Sequence, residues 1–172
     1  MDFYELIAER YSVRRFKNEH LPKDIIDKIL EAGHLAPTGC NNQPQRILVI
    51  NTDASIKKLK NCTKCHFDAP TAMLVCYNKD ECWTRKYDGK TCGVADACIV
   101  TTHMMLGACS IGVGSTWVMH FDPKAMREAF EIPQNIEPVA LLVMGYPAED
   151  ATPADFHNRF RDMNEVVVYD KF

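Results

Sequence analysis

A chain of 172 residues has room for one domain with a real core and little room for a second. Its 47% apolar and 25% charged residues are ordinary for a globular protein, and a formal net charge of -3 gives no reason to expect nucleic acid or an anionic membrane as partner. No apolar run approaches the length a bilayer requires, and the opening MDFYELIAERYSVRRF sets acids before arginines, the reverse of a secretion signal, so a cytoplasmic protein is expected.

Phe3, Leu6 and Ile7 recur at helical spacing and predict a short helix over residues 2–10. A second helix is predicted over about 23–35, where Ile25, Ile26, Ile29 and Leu30 share one stripe behind Pro22; it stops at Pro37-Thr38-Gly39. The run over 46–51, Arg-Ile-Leu-Val-Ile-Asn, reads as a strand buried on both faces. A short helix over 54–60 and a strand over 72–77 follow. Residues 78–92 are polar and irregular but keep Trp83, Arg85 and Tyr87, so they read as a lid that selects substrate or, equally, as a solvated excursion. Residues 93–111 are apolar nearly all round and predict a central buried helix. Strands over 112–118 and 138–144, a helix near 123–130 between them, and a strand-like arm over 165–169 complete the chain. Helices and strands are mixed, which implies an α+β fold with one sheet in a single domain over 1–172.

Three segments carry candidate chemistry. Arg10-Tyr-Ser-Val-Arg-Arg-Phe16 sets guanidiniums and a hydroxyl at alternating positions, so that in an extended backbone Arg10, Ser12 and Arg14 project to one side. Arginine offers planar, paired donors that match phosphate oxygens; taken alone, the segment reads first as a solvated basic surface. Ala36-Pro-Thr-Gly-Cys-Asn-Asn-Gln-Pro44 is a tight, amide-rich loop, whose Asn and Gln side chains pair a donor with an acceptor and suit the edge of a heterocycle. The same residues are also ordinary turn formers. Gly112-Val-Gly-Ser-Thr-Trp-Val118 pairs small residues with a tryptophan able to flank a ring, or to pack in a core. Neither a dinucleotide fingerprint nor a phosphate-binding P-loop occurs.

Of the eight cysteines, Cys62-Thr-Lys-Cys65-His66 matches the c-type haem attachment pattern. Zinc or iron–sulfur ligation by Cys62, Cys65, Cys82 and Cys92, or a redox dithiol, are the other active readings. Without an export signal or a second close pair, buried reduced thiols are the preferred one. His20, His34, His103, His120 and His157 lack metal-ligand spacing and read as structural, and Met104 and Met105 read as core filler.

In order and spacing, RYSVRRF near residue 10, APTGCNNQP near 40, the apolar helix, GVGSTWV and Gly145-Tyr-Pro-Ala-Glu149 together resemble the nitroreductase superfamily over nearly the whole chain. The resemblance implies a central mixed or antiparallel sheet flanked by helices, and a homodimer with two FMN sites at the interface and exchanged C-terminal arms. It implies that Arg10, Ser12 and Arg14 of one subunit hold the phosphate and ribityl chain, with Tyr11 beside them. Pro37, Thr38, Gly39, Asn41 and Gln43 would come from the other subunit to the isoalloxazine. Thr116, Trp117 and Val118 would lie along the ring, and Arg159 and Arg161 would reach the phosphate from the C-terminus. Two departures stand out: Gln45 where the family commonly has Trp, and Tyr11 where it often has Arg or His. The implied reaction is ping-pong, with hydride passing from NAD(P)H through flavin N5 to a nitroaromatic, quinone or similar small oxidant, and with no catalytic side chain. A non-catalytic FMN-binding, storage or sensor protein is the alternative.

Overall fold

Two strands buried at nearly every position set the plan of the molecule, a computed structural model that describes residues 2–172. They are β2 (Thr71–Asn78) and β4 (Ile136–Gly145), paired antiparallel in the middle of a sheet of order β1-β2-β4-β3. The edges are β1 (Gln45–Ile50) and β3 (Gly114–Val118), each also antiparallel to its one neighbour.

Strand side chains alternate between the two faces, so each central strand feeds two cores. Met73, Val75, Leu142 and Met144 meet α2 (Lys23–His34) and α4 (Gly93–Ser110) on one face. Ala72, Leu74, Leu141 and Val143 meet α3 (Asp53–Lys60) and α5 (Pro123–Phe130) on the other. The fold is α+β, with helices on both faces of an antiparallel sheet, as the sequence predicts. Local chemistry fixes the helix starts. In α1 (Phe3–Glu9) Asp2 and Glu5 cap each other, and in α5 Asp122 accepts from Lys124 N and Ala125 N ahead of Pro123.

Three expectations need correction. β1 is an edge strand and only Ile50 is fully buried; Ile47, Leu48 and Val49 touch the two cores but keep part of their surface. The all-round apolar helix α4 is buried only where it meets the sheet and α2; Val94 and Ile99 are exposed, Leu106 is half-buried, and Met105 is half-buried at the margin of that core. The strand-like arm is instead a four-residue helix, α6 (Met163–Val166), which Asp162 caps by accepting from Asn164 N. Extended backbone resumes at Val167, without a sheet neighbour among the described residues. No helix among the described residues is long and apolar enough to cross a membrane.

Candidate functional site

Leaving α1, the chain runs extended beside β3, where Ser12 and Ser115 form a parallel bridge. Val13 N donates to Ser115 O at 3.0 Å, and Thr116 Oγ1 donates to Val13 O at 2.5 Å. Val13 points inward over Gly114, where a Cβ would lie 2.6 Å from Val13 Cγ2; only glycine lets the two segments approach this closely. With Val13 fixed inward, Ser12 and Arg14 take the other side. Arg10, Tyr11, Ser12 and Arg14 line one wall of a cavity of about 270 Å³, and Ala154, Phe156 and His157 line the other. Tyr11 ties the walls together. Its hydroxyl donates to Ala151 O at 3.2 Å, and its ring meets that of His157 edge-on at 6.2 Å. Arg15, on the opposite side, pairs with Asp150 at 2.6 Å, whereas Arg10 and Arg14 make no ion pair among the described residues. Arg14 donates to Ser12 O at 3.2 Å and lies 5.8 Å from the centre of the Phe67 ring.

The structure brings His157 to this cavity and not the two C-terminal arginines. Arg159 lies over Phe156 at 5.2 Å, and Arg161 faces Glu165 at 3.5 Å. On β3, Thr116 and Val118 are buried, the threonine hydroxyl already engaged by Val13, and Trp117 packs against the α2–α4 core.

The amide loop occupies the far end of α4. Thr38 Oγ1 accepts from Gln43 N at 3.0 Å, and a 3-10 turn spans Gly39–Asn41. Cys40, Asn41 and Gln43 all adopt left-handed backbone, with φ of 49°, 55° and 50°. Pro37, Asn41 and Gln43 face outward, while Thr38 and Gly39 are half-buried. Gly39 N donates to Asp96 Oδ1 in the first turn of α4, at 2.9 Å. At the other end of that helix, Cys109 and Gly112 share a cavity with Arg10 and Tyr11. From Asp96 to Cys109 the helix climbs roughly 20 Å. Within one chain, loop and arginine cluster therefore stand at opposite ends of α4, and no hydrogen bond among the described residues joins them.

The Cys62–His66 segment braces the turn after β3. Thr63 Oγ1 donates to His120 O at 2.5 Å, and Asp122 N donates to Cys62 O at 2.8 Å. Burial, and then the nearby Asp122 charge, push the Cys62 thiol above its ordinary range, which keeps it protonated and unreactive. Among the described residues no three His, Cys, Asp or Glu side chains are grouped to hold a metal ion.

The model of the nitroreductase family matches residues 7–87 and 64–146. The chain belongs to the nitroreductase family. A nitroreductase family protein of Clostridium difficile 630 has a similar structure, at a TM-score of 0.93 and 40% identity, with 100% of both chains covered. A Methanothermobacter thermautotrophicus protein provisionally named NADH dehydrogenase/NAD(P)H nitroreductase is 28% identical over 162 residues, 90% of this chain and 82% of its own length. A Desulfovibrio desulfuricans protein solved in complex with FMN is 25% identical at a TM-score of 0.78, covering 98% of this chain and 96% of that one. In this nitroreductase-family chain, sequence reasoning read His157 as merely structural and passed over Asp96. Only folding sets His157 opposite Tyr11. For Asp96, a lone acid in an apolar helix was the available signal.

Proposed function

We propose that the protein is an FMN-dependent oxidoreductase that works as a homodimer, taking hydride from NAD(P)H and delivering it to a nitroaromatic, quinone or similar small oxidant. The observation that carries this reading is the 270 Å³ cavity in which Arg10 and Arg14, free of carboxylate partners among the described residues, converge with Ser12 and His157. A dianionic phosphate is the group such a cavity fits, because each guanidinium–phosphate bond is charge-assisted and the charges balance. When bound there, FMN supplies the redox chemistry.

The chain's own residues then divide the work. Arg10, Ser12 and Arg14 anchor the phosphate end and so fix where the ring lies along β3. The Pro37–Gln43 loop, beyond reach of the same chain's arginines, meets the ring from a second subunit. An antiparallel pairing of two α4 helices brings the loop of each chain to the arginines of the other, and it covers Val94 and Ile99. The exposed Val166, Val168 and Tyr169 of the tail, and the unpaired edge of β1, fit an exchanged arm. Gln45 Oε1, buried and without a partner among the described residues, leaves an acceptor at the foot of the loop. Tyr87, at the tip of the 84–91 excursion closed by the Thr84–Thr91 bridge, is almost fully exposed and is placed in this reading as a contact for the oxidant.

The test is the visible spectrum and the mass of the cofactor released from purified protein, followed by steady-state oxidation of NADH and NADPH with a quinone and a nitroaromatic. FMN in a 1:1 ratio with subunits and turnover with either nicotinamide are expected. A flavin-loaded protein reduced by neither nicotinamide overturns the enzyme assignment. Arg14→Glu should lose FMN at least 100-fold in affinity, since it replaces a charge-assisted bond with repulsion (about 3 kcal/mol or more); undiminished flavin in that variant removes Arg14 from the site.

A further inference from the structure

The amide loop holds a conformation that its own residues disfavour. Three non-glycine residues in four positions, Cys40, Asn41 and Gln43, lie in the left-handed region. Such backbone persists where surrounding contacts over-determine it. Two of those contacts are local or exposed: Thr38 Oγ1 holds Gln43 N, and Asn42 Nδ2 donates to Glu81 O at 3.0 Å. The third reaches into the interior. Asp96 is only 2% exposed, and both of its carboxylate oxygens are engaged. Oδ1 accepts from Gly39 N at 2.9 Å, and Oδ2 accepts from the Cys92 thiol at 3.1 Å. Burial first, then this hydrogen bond, push the Cys92 thiol upward, so it remains a donor. A Cβ on Gly39 would collide with Cys92 Sγ and lie 3.1 Å from Trp83 Cβ, so the loop is seated against Cys92 with no slack.

We infer that Asp96, backed by Cys92, is the positioning residue that fixes the Pro37–Gln43 loop in the geometry it presents to the flavin ring of the partner's site. A buried carboxylate is costly unless its oxygens are filled; here the first-turn position in α4, with the positive end of the helix dipole, and two donors offset that cost. Asp96 thus couples the loop to the longest helix of the fold without itself touching cofactor or substrate. The inference rests on the reading that this loop faces the flavin.

The experiment compares the FMN-loaded wild-type dimer with Asn41→Ala, Asp96→Ala, Asp96→Asn, Gly39→Ala and Gly39→Ala/Cys92→Ala, by flavin visible circular dichroism and by KM and kcat for a quinone. Asn41→Ala should change the flavin spectrum directly. Asp96→Ala should change it in the same sense and raise KM for the quinone about tenfold while kcat moves less than threefold. Asp96→Asn should restore most of the wild-type spectrum, because an amide oxygen can accept from Gly39 N and an amide N–H can donate to Cys92 Sγ. If Asp96→Ala fails to fold, Gly39→Ala probes the seat of the loop on Cys92; it should perturb the spectrum, and removing Cys92 Sγ in the double variant should reverse only part of that change, because relieving the clash also takes the thiol donor from Asp96 Oδ2. A spectral response to Asn41→Ala with none to Asp96→Ala or Gly39→Ala overturns the role of Asp96 alone. No response to Asn41→Ala removes the loop from the flavin, and the inference with it.

Discussion

At the scale of single residues, Cys76 shows how burial becomes a pH dependence. It lies in the α3–α5 core at 3% exposure, and burial pushes its thiol up to about 12, with Arg127 opposing and Glu137 adding a little. In the unfolded chain the same thiol ionises at its ordinary value near 9.0. The unfolded state therefore releases the proton first, so the stability this thiol contributes is intact below about pH 9 and falls as pH rises toward 12. The expected loss is about 1.4 kcal/mol per pH unit in that window, for one proton. Urea titrations at pH 8, 9, 10 and 11 on wild type and Cys76→Val check it. The wild type should lose stability more steeply, and parallel curves would exclude Cys76 as the source. The other buried thiols remain in both proteins and cancel in the comparison. The residue scale also marks the limit of reading a site from sequence. Alternation in an extended segment set Arg10, Ser12 and Arg14 on one side without any knowledge of the fold. The family resemblance offered Arg159 and Arg161 as candidates, because nothing local says that the chain turns at residues 155–158 and presents His157 instead. Thr116 carried the same ambiguity, since a hydroxyl on a strand serves a ligand or a neighbouring carbonyl equally well until the neighbour, Val13, is known.

At the scale of elements, periodicity was informative wherever one face of an element differs from the other. α2 appears where its apolar stripe predicts, and β2 and β4 where apolar runs do. The tail is the exception, and its reason is physical. Val166-Val-Val-Tyr169 has strand propensity, but a strand needs hydrogen-bonding partners along its edge, which a lone tail lacks. Asp162 provides a cap, so the first residues close a helical turn and the remainder stays extended and exposed. On the proposed dimer the missing partner is the other subunit. Deleting residues 163–172 should then lower the dimer's association at least tenfold in analytical ultracentrifugation and reduce FMN occupancy in parallel. An unchanged dimer with full flavin would mean that the tail stays on its own chain.

At the scale of the whole molecule, the arrangement of α4 decides what one chain can do. This helix has apolar residues on every side, yet only the side toward the sheet and α2 is buried. Its ends carry the two halves of the candidate site, the Asp96-anchored loop at one and the Arg10 cluster at the other, roughly 20 Å apart. In the proposed two-fold dimer the loop of each chain meets the arginines of the other and two sites close, which one chain alone cannot do. That geometry makes a prediction that no single-chain site shares. Homodimers of Arg14→Glu should lose flavin because both anchors are broken, and homodimers of Asn41→Lys because both loops are. In a heterodimer of the two variants, co-expressed with different affinity tags, the broken anchor and the broken loop fall in the same site. The second site then combines an intact anchor with an intact loop, and the heterodimer should bind one FMN per dimer with about half the wild-type turnover. If each site were built within one chain, every subunit of the heterodimer would carry a defect and no flavin would bind. The stoichiometry of one against zero therefore reads directly whether the site is shared.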